Sequence, residues 1–167
     1  MNKHALLVFV IIFSLLFSSC TVKSSIGADN LLLELLRVSG EDIEGNGYVY
    51  VSFAIEGELG FFDDAKKVAM YGENATEGYF RCIEEYAIFV SSRVPSEIAV
   101  FKCFSLSDTD TVARMCLERA DVLKVALRGT SYEGKSSAIE VTVIGRYVVF
   151  CFAENGRKVE EKFRELI

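Results

Sequence analysis

The chain has 167 residues, of which 51% are hydrophobic, with one proline and no tryptophan, and this composition is typical of a single globular domain with a substantial core. Its 24 acidic residues outnumber its 18 lysines and arginines, which gives a formal charge of −6. Because nucleic-acid-binding domains carry basic patches, this acidic balance argues against a nucleic-acid partner.

The N-terminal segment has the pattern of a secretory signal peptide. A short polar start that contains Lys3 is followed by an apolar run over residues 5–17, which only Ser14 interrupts. A helix of this run is about 20 Å long, whereas the hydrocarbon core of a bilayer is about 30 Å thick. We therefore expect a cleaved signal peptide rather than a permanent membrane span.

The end of this segment, Leu16-Phe17-Ser18-Ser19-Cys20, resembles the bacterial lipobox. In signals of that kind, a cysteine that follows two small residues receives a diacylglycerol and becomes the new N-terminus. Phe17 departs from the pattern, since an aliphatic residue is usual at its position. The resemblance implies lipid attachment at Cys20 and a location on the extracytoplasmic face of the cell membrane. A cut after Cys20, which gives a secreted form, and an uncleaved anchor are the alternatives.

Cleavage before Cys20 divides the chain into three parts, which are a signal peptide (residues 1–19), a lipid-anchored tether (residues 20–28) and a single globular domain (residues 29–167). It leaves 148 of the 167 residues and removes Lys3 and His4, so the formal charge changes from −6 to −7 and no histidine remains. A chain without histidine has no Ser-His-Asp or Cys-His nucleophile pair and no histidine ligand for a metal. No cofactor or metal site is predicted.

The first half of the domain contains a helix, a strand and a second helix. Asp29-Asn30 can cap a helix over residues 31–38, whose leucines nearly encircle it and indicate burial between layers. Residues 48–55 alternate as a strand in which Val49, Val51, Phe53 and Ile55 share one face. Asp63-Asp64 suits the positively polarised start of a short second helix.

The second half alternates hairpins and helices. Four strands form the two hairpins and cover residues 82–90 with 97–104 and residues 138–144 with 147–153. Ser107 and Asp110 form a capping-box-like start for the helix between the hairpins. The apolar stripe of that helix consists of Val112, Met115, Cys116, Ala120, Leu123 and Leu127. A last helix follows Asn155-Gly156, and its buried stripe consists of Val159, Phe163 and Leu166.

This order of elements predicts a two-layer α+β domain, in which helices pack on an antiparallel sheet. The chain reads as hairpin, helix, hairpin and helix after an N-terminal helix-strand-helix section, and tight turns between strands require antiparallel pairing. The stretch YVVFCF, residues 147–152, is apolar on both faces and therefore predicts a central strand. Part of the second face must then be covered by the helix at residues 31–36 or by a partner.

The segment MYGENATEGYFRCIEEYAIFVSSRVPSEIAVFKC resembles the middle of a family of small lipoproteins from Gram-positive anaerobes, whose shared domain has no assigned function. The likeness rests on Tyr71-Gly72, Glu85-Tyr86, Ser96-Glu97-Ile98-Ala99, Gly145-Arg146-Tyr147-Val148 and the closing amphipathic helix. This chain departs from the family in its extra cysteines and in a shorter stretch before the last hairpin. The resemblance implies a fold and a cellular location but no activity.

The acidic residues do not form an obvious catalytic pair. Glu84 and Glu85 are neighbours in a predicted strand, where successive side chains point to opposite faces, so they are not expected to converge on one substrate. Asp63-Asp64 and Asp108-Thr109-Asp110 lie at predicted helix starts, where capping explains them. A carboxylate-dependent hydrolase would have to gather acids that are distant in sequence.

Two other groups of residues are candidates for function. Tyr48 and Tyr50 share one strand face and could line a ligand-binding surface, and half-buried packing is the alternative. The domain also contains four cysteines, none of them in a C-x-x-C pair, which argues against zinc binding and thioredoxin-like chemistry. Buried free thiols, disulfides and a reactive thiol all remain open for Cys82, Cys103, Cys116 and Cys151.

The sequence as a whole predicts a non-enzymatic binding or accessory domain at the cell envelope. It would be held to the membrane by lipid on Cys20 and would recognise an envelope protein or a cell-wall ligand. The alternatives are a carboxylate-dependent envelope hydrolase and a redox-active thiol protein.

Overall fold

The computed structural model describes residues 25–41 and 46–167. The predicted signal peptide, the lipid attachment site Cys20 and the start of the tether lie outside these residues. The described part contains four α-helices, which are α1 (Ala28–Ser39), α2 (Asp64–Tyr71), α3 (Thr109–Leu127) and α4 (Gly156–Leu166). It contains five strands, which are β1 (Gly47–Val51), β2 (Ile83–Ser91), β3 (Glu97–Cys103), β4 (Glu140–Ile144) and β5 (Tyr147–Phe152).

The five strands form one sheet in the order β1-β2-β3-β5-β4, and every neighbouring pair is antiparallel. The predicted antiparallel α+β fold is therefore confirmed. All residues of the central strand β3 are buried, and so are all residues of β5, which lies between β3 and β4. The internal position predicted for the stretch YVVFCF is confirmed as well.

Helices cover both faces of the sheet, so the domain has three layers where the sequence led us to expect two. Helices α1 and α4 pack on one face, against the side chains of Ala87, Phe89, Ile98, Val100 and Val149 among others. Helices α2 and α3 pack on the opposite face, against Ile88, Ala99, Phe101, Val148 and Phe150 among others. The physical reason is that β3 and β5 are apolar on both faces, and each face has to be removed from water. The predicted role of α1 as a cover for the second face is confirmed.

Strand β1 is shorter than predicted, because the alternating pattern continues beyond the last residue that the sheet can pair. The strand ends at Val51, whose N–H donates to the carbonyl of Gly60 at 3.0 Å. The intervening loop folds back along the sheet edge, and the side chains of Phe53 and Ile55 are exposed. Gly60 has φ +90°, and a Cβ atom there would lie 3.1 Å from the Val49 carbonyl oxygen, so glycine fits this close approach best.

The start of α3 also differs from the prediction. A short 3₁₀ turn, Leu106–Asp108, precedes the helix and moves the capping box to Ser105 and Asp108 instead of Ser107 and Asp110. The Asp108 carboxylate accepts hydrogen bonds from the Ser105 N–H at 3.0 Å and from its hydroxyl at 2.6 Å. The predicted apolar stripe of α3 is confirmed, since its residues are buried except for the half-buried Leu123.

Candidate functional site

The N-terminal tether joins the domain at a defined place. The Tyr147 hydroxyl donates to the carbonyl of Ile26 at 2.7 Å and lies 3.1 Å from the hydroxyl of Ser25. The N–H of Ala28 donates to a carboxylate oxygen of Glu85 at 3.0 Å. These bonds fix the entering chain where β2 and β5 start and β3 ends. We call this end of the sheet the tether end and the opposite end the distal end.

A cluster of four charged side chains holds the tether end together. Lys102, which is buried, forms ion pairs with both Glu85 and Glu84, the latter at 3.7 Å. Arg146 pairs with Glu84 at 2.7 Å and also donates to the carbonyls of Cys103 and Phe104. The expectation that Glu84 and Glu85 point to opposite faces is therefore wrong here. The ladder shifts register between Ile83 and Glu85, and this bulge breaks the alternation of side chains.

The pKa values in this cluster reflect the pairing of its charges. Partial burial would by itself raise the pKa of Glu85, but hydrogen bonds from Lys102 and from the Ala28 N–H, together with the nearby positive charges, lower it. Burial would likewise lower the pKa of Lys102, and the contact with Glu85 raises it instead. Both groups are held in their charged forms, which suits a structural ion pair that caps the start of α1.

The distal end contains a cleft of about 220 Å³. The cleft is lined by residues that follow α1, by the β2–β3 turn, by the segment before β4 and by the end of β5. They are Glu41, Val94, Pro95, Ser96, Lys135, Ala138, Phe152, Ala153 and Glu154. The Ser96 hydroxyl donates to the Glu41 carboxylate at 2.7 Å. This distal cleft therefore combines an apolar wall with two carboxylates and one lysine.

A buried charged cluster lies beside the distal cleft. Glu97 is 2% exposed, and Arg119 donates to one of its carboxylate oxygens from Nε at 3.1 Å and from Nη2 at 2.7 Å. The Tyr71 hydroxyl donates to the other oxygen at 3.1 Å. Burial and the negative charge of Glu97 raise the pKa of Tyr71 well above its usual range, so this phenol stays protonated. A small cavity of about 80 Å³ next to this cluster shares Pro95, Ser96 and Phe152 with the distal cleft.

Sequence reasoning did not single out this cluster, although one signal was present. Glu97 comes directly before an apolar run over residues 98–101, and a charge in such a strand needs a partner because an unpaired buried charge is costly. The partner, Arg119, lies on α3, 22 residues further along the chain. Which residue becomes the partner of Glu97 depends on how α3 packs on the sheet, and local sequence patterns do not specify this packing.

The structure separates the environments of Tyr48 and Tyr50. Both tyrosines line an open groove with Leu59 and Gly60, and Tyr48 is 63% exposed on β1, which is an edge strand. Tyr50 is half-buried, and its ring stacks on Phe62 with the centroids 4.8 Å apart. Tyr50 therefore contributes to packing, whereas Tyr48 offers an accessible surface.

The four cysteines of the domain are all free thiols in this structure. Cys103, Cys116 and Cys151 are buried and Cys82 is half-buried. Burial raises the pKa of Cys103 and of Cys151 to about 12, and it also raises the pKa values of Cys82 and Cys116. Since the thiolate is the nucleophile, thiols with raised pKa values react slowly at neutral pH. This environment favours packing over a redox role.

Within residues 25–41 and 46–167, no group of three histidine, cysteine or acidic side chains is arranged to hold a metal ion. In the same part of the chain, no helix has both the length and the apolar character needed to cross a membrane.

No protein family, no curated protein and no solved structure matches the chain significantly. The resemblance to the small lipoprotein family therefore stays a prediction that rests on the motifs quoted above.

The Glu85 contacts make a testable prediction about pH. The pKa of Glu85 is lower in the folded protein than its ordinary value of 4.5, so its contacts stabilise the fold fully at pH values above 4.5. The stabilisation is lost as the pH falls through the lower pKa of the folded state. We expect Glu85→Gln to lower the free energy of unfolding near neutral pH, with a difference from wild type that shrinks below pH 4.5. Urea unfolding at a series of pH values measures this difference. The exposed Glu73→Gln serves as the control, and parallel curves for wild type and Glu85→Gln would contradict the assignment.

The thiol environments make a second prediction. At neutral pH, iodoacetamide should leave Cys103, Cys116 and Cys151 unlabelled in the native protein and should label Cys82 slowly. After unfolding without a reductant, all four should label, which peptide mass spectrometry can count. Fewer than four labelled thiols would reveal a disulfide, and rapid labelling of a native thiol would support the redox alternative.

Proposed function

We propose that this chain is a lipid-anchored, non-enzymatic binding domain on the extracytoplasmic face of the cell membrane. In this proposal, Cys20 carries the lipid, and the distal cleft receives a positively charged side chain of an envelope protein. The observation that carries the proposal is that the chain enters the domain at one end of the sheet, whereas the cleft opens at the other end.

The length of the tether supports this orientation. Four residues lie between Cys20 and Ser25, and the five steps from one Cα atom to the other span at most about 18 Å when the chain is extended. Since residues 25–28 are fixed at the tether end, a lipid on Cys20 would hold that end near the bilayer. The distal cleft would then face away from the membrane, where other envelope components could reach it.

The chemistry of the cleft supports a cationic ligand. Glu41 and Glu154 place two negative charges on its wall and Lys135 adds one positive charge, so the lining is acidic on balance. Val94 and Pro95 add accessible apolar surface that could contact the aliphatic stem of a lysine or arginine side chain. The overall charge of −6 also favours association with basic partners.

A second candidate function is the carboxylate-dependent envelope hydrolase, because Glu41 and Glu154 line one cleft although they are distant in sequence. Other carboxylates at the two ends serve structural contacts, such as Glu97 with Arg119 and Glu85 with Lys102. A cell-wall-degrading activity that both Glu41→Gln and Glu154→Gln abolish would favour the hydrolase over the binding domain.

The anchoring part of the proposal predicts the behaviour of Cys20→Ser. This variant should move from the membrane fraction to the soluble extracytoplasmic fraction, because it cannot receive the diacylglycerol. Its circular dichroism and thermal unfolding should match the wild type, since the domain starts beyond the substituted residue. Membrane retention of Cys20→Ser, or a wild-type mass without lipid, would contradict the proposal.

The binding part predicts site-specific crosslinking in native membranes. A photoreactive amino acid at Val94, on the cleft, should capture an envelope protein through a peptide that contains lysine or arginine. The same group at Leu117, which is exposed on α3 away from the cleft, should not capture it. Glu154→Gln and raised salt should both reduce capture because they weaken the charge attraction, whereas Glu73→Gln should not. Equal capture from both positions would contradict a site at the cleft.

A further inference from the structure

Two loops carry five of the twelve large apolar side chains that are exposed in the described part of the chain. The loop after β1, residues 52–62, exposes Phe53 by 70%, Ile55 by 66% and Leu59 completely. The segment after β3 exposes Phe104 by 59% and Leu106 by 67%. Large apolar residues that cluster on a surface usually mark a site of contact with a partner or a membrane.

Both loops lie at the tether end. The loop after β1 begins where the Ser52 N–H donates to the carbonyl of Tyr86 at 3.0 Å, near the start of β2. The segment after β3 begins where the Phe104 N–H donates to the carbonyl of Cys82 at 3.2 Å, and Arg146 donates to the Phe104 carbonyl at 3.1 Å. These are the strand ends to which the entering tether is fixed by Glu85 and Tyr147.

In a chain that is anchored at Cys20, a tether of at most about 18 Å keeps both loops permanently close to the bilayer. Apolar side chains on a surface held there can leave water by entering the interfacial region of the lipid.

We propose that the two loops insert Phe53, Phe104 and Leu106 into the interfacial region of the membrane that holds the lipid anchor. The domain then docks in one orientation, with the distal cleft pointing away from the bilayer. This inference rests on the proposed function, because it requires the anchor at Cys20.

We expect docking to depend on apolar contact and not on electrostatic attraction, because of the charges at the tether end. Among the described residues there, Lys66 pairs with Asp63, Lys67 with Asp64 and Arg146 with Glu84. The first loop also carries Glu56 and Glu58, and the Glu58 carboxylate accepts a hydrogen bond from the Ile55 N–H at 3.1 Å. Anionic lipid should therefore not strengthen docking.

The absence of tryptophan from the sequence allows a direct experiment. Phe53→Trp and Phe104→Trp each introduce a single fluorophore at the tether end, and Tyr48→Trp introduces one at an exposed site towards the distal end of β1. The full-length protein, purified from host membranes, is reconstituted into phosphatidylcholine vesicles with or without brominated acyl chains. Mass spectrometry of the same preparations reports whether Cys20 carries lipid.

In brominated vesicles, Phe53→Trp and Phe104→Trp are expected to lose at least half of their emission and to show a blue-shifted maximum. Tyr48→Trp is expected to show neither change, and anionic lipid should not increase the quenching of the other two. Lipid-modified protein with no quenching at either tether-end site would overturn docking while leaving the anchor intact. Equal quenching at Tyr48→Trp would overturn the proposed orientation. Unmodified Cys20 would overturn the anchor and, with it, the docking.

Discussion

The structure depends on the complete burial of strand β3 between two layers of helices. Each residue of this strand is buried, although it begins with Glu97 and contains Lys102 near its end. A charge in such a position is tolerated only with a partner of opposite sign. Glu97 therefore requires Arg119 on one face, and Lys102 requires Glu85 on the other. These two pairs tie α3 and the start of α1 to the centre of the sheet.

The same two ion pairs mark the two ends of the domain. The Lys102 cluster lies where the tether enters, because Glu85 also accepts the N–H of Ala28. The Glu97 cluster lies beside the distal cleft, which Glu41 and Glu154 line with Ser96. In our proposal, the tether end faces the membrane and the distal end binds the partner. A mutation in either ion pair would therefore affect stability as well as one functional end.

Much of the fold could be predicted from residue patterns. The stripe on α3, the internal position of YVVFCF in the sheet and the capping role of Asp63 depend on local periodicity and helix chemistry, and all three are confirmed. The predictions are wrong where one local sequence pattern is compatible with more than one structure. The alternation in residues 48–55 continues past Val51 although pairing stops there, and a bulge near Glu85 overrides the alternation that separated it from Glu84. The candidate cleft was not predicted, since Glu41, Ser96, Lys135 and Glu154 come from four separate segments.

Residue patterns alone were enough to predict the class of fold, and they show that the globular domain contains no histidine for catalysis or metal binding. This was possible because hydrophobic period and residue inventory are local properties that do not require the chain to be folded. Three further facts emerge only from the folded chain: helices cover both faces of the sheet, Glu97 pairs with Arg119, and the exposed Phe53 and Phe104 lie at the same end of the sheet as the tether. These facts depend on strand order and register, which bring together residues that are far apart in the chain.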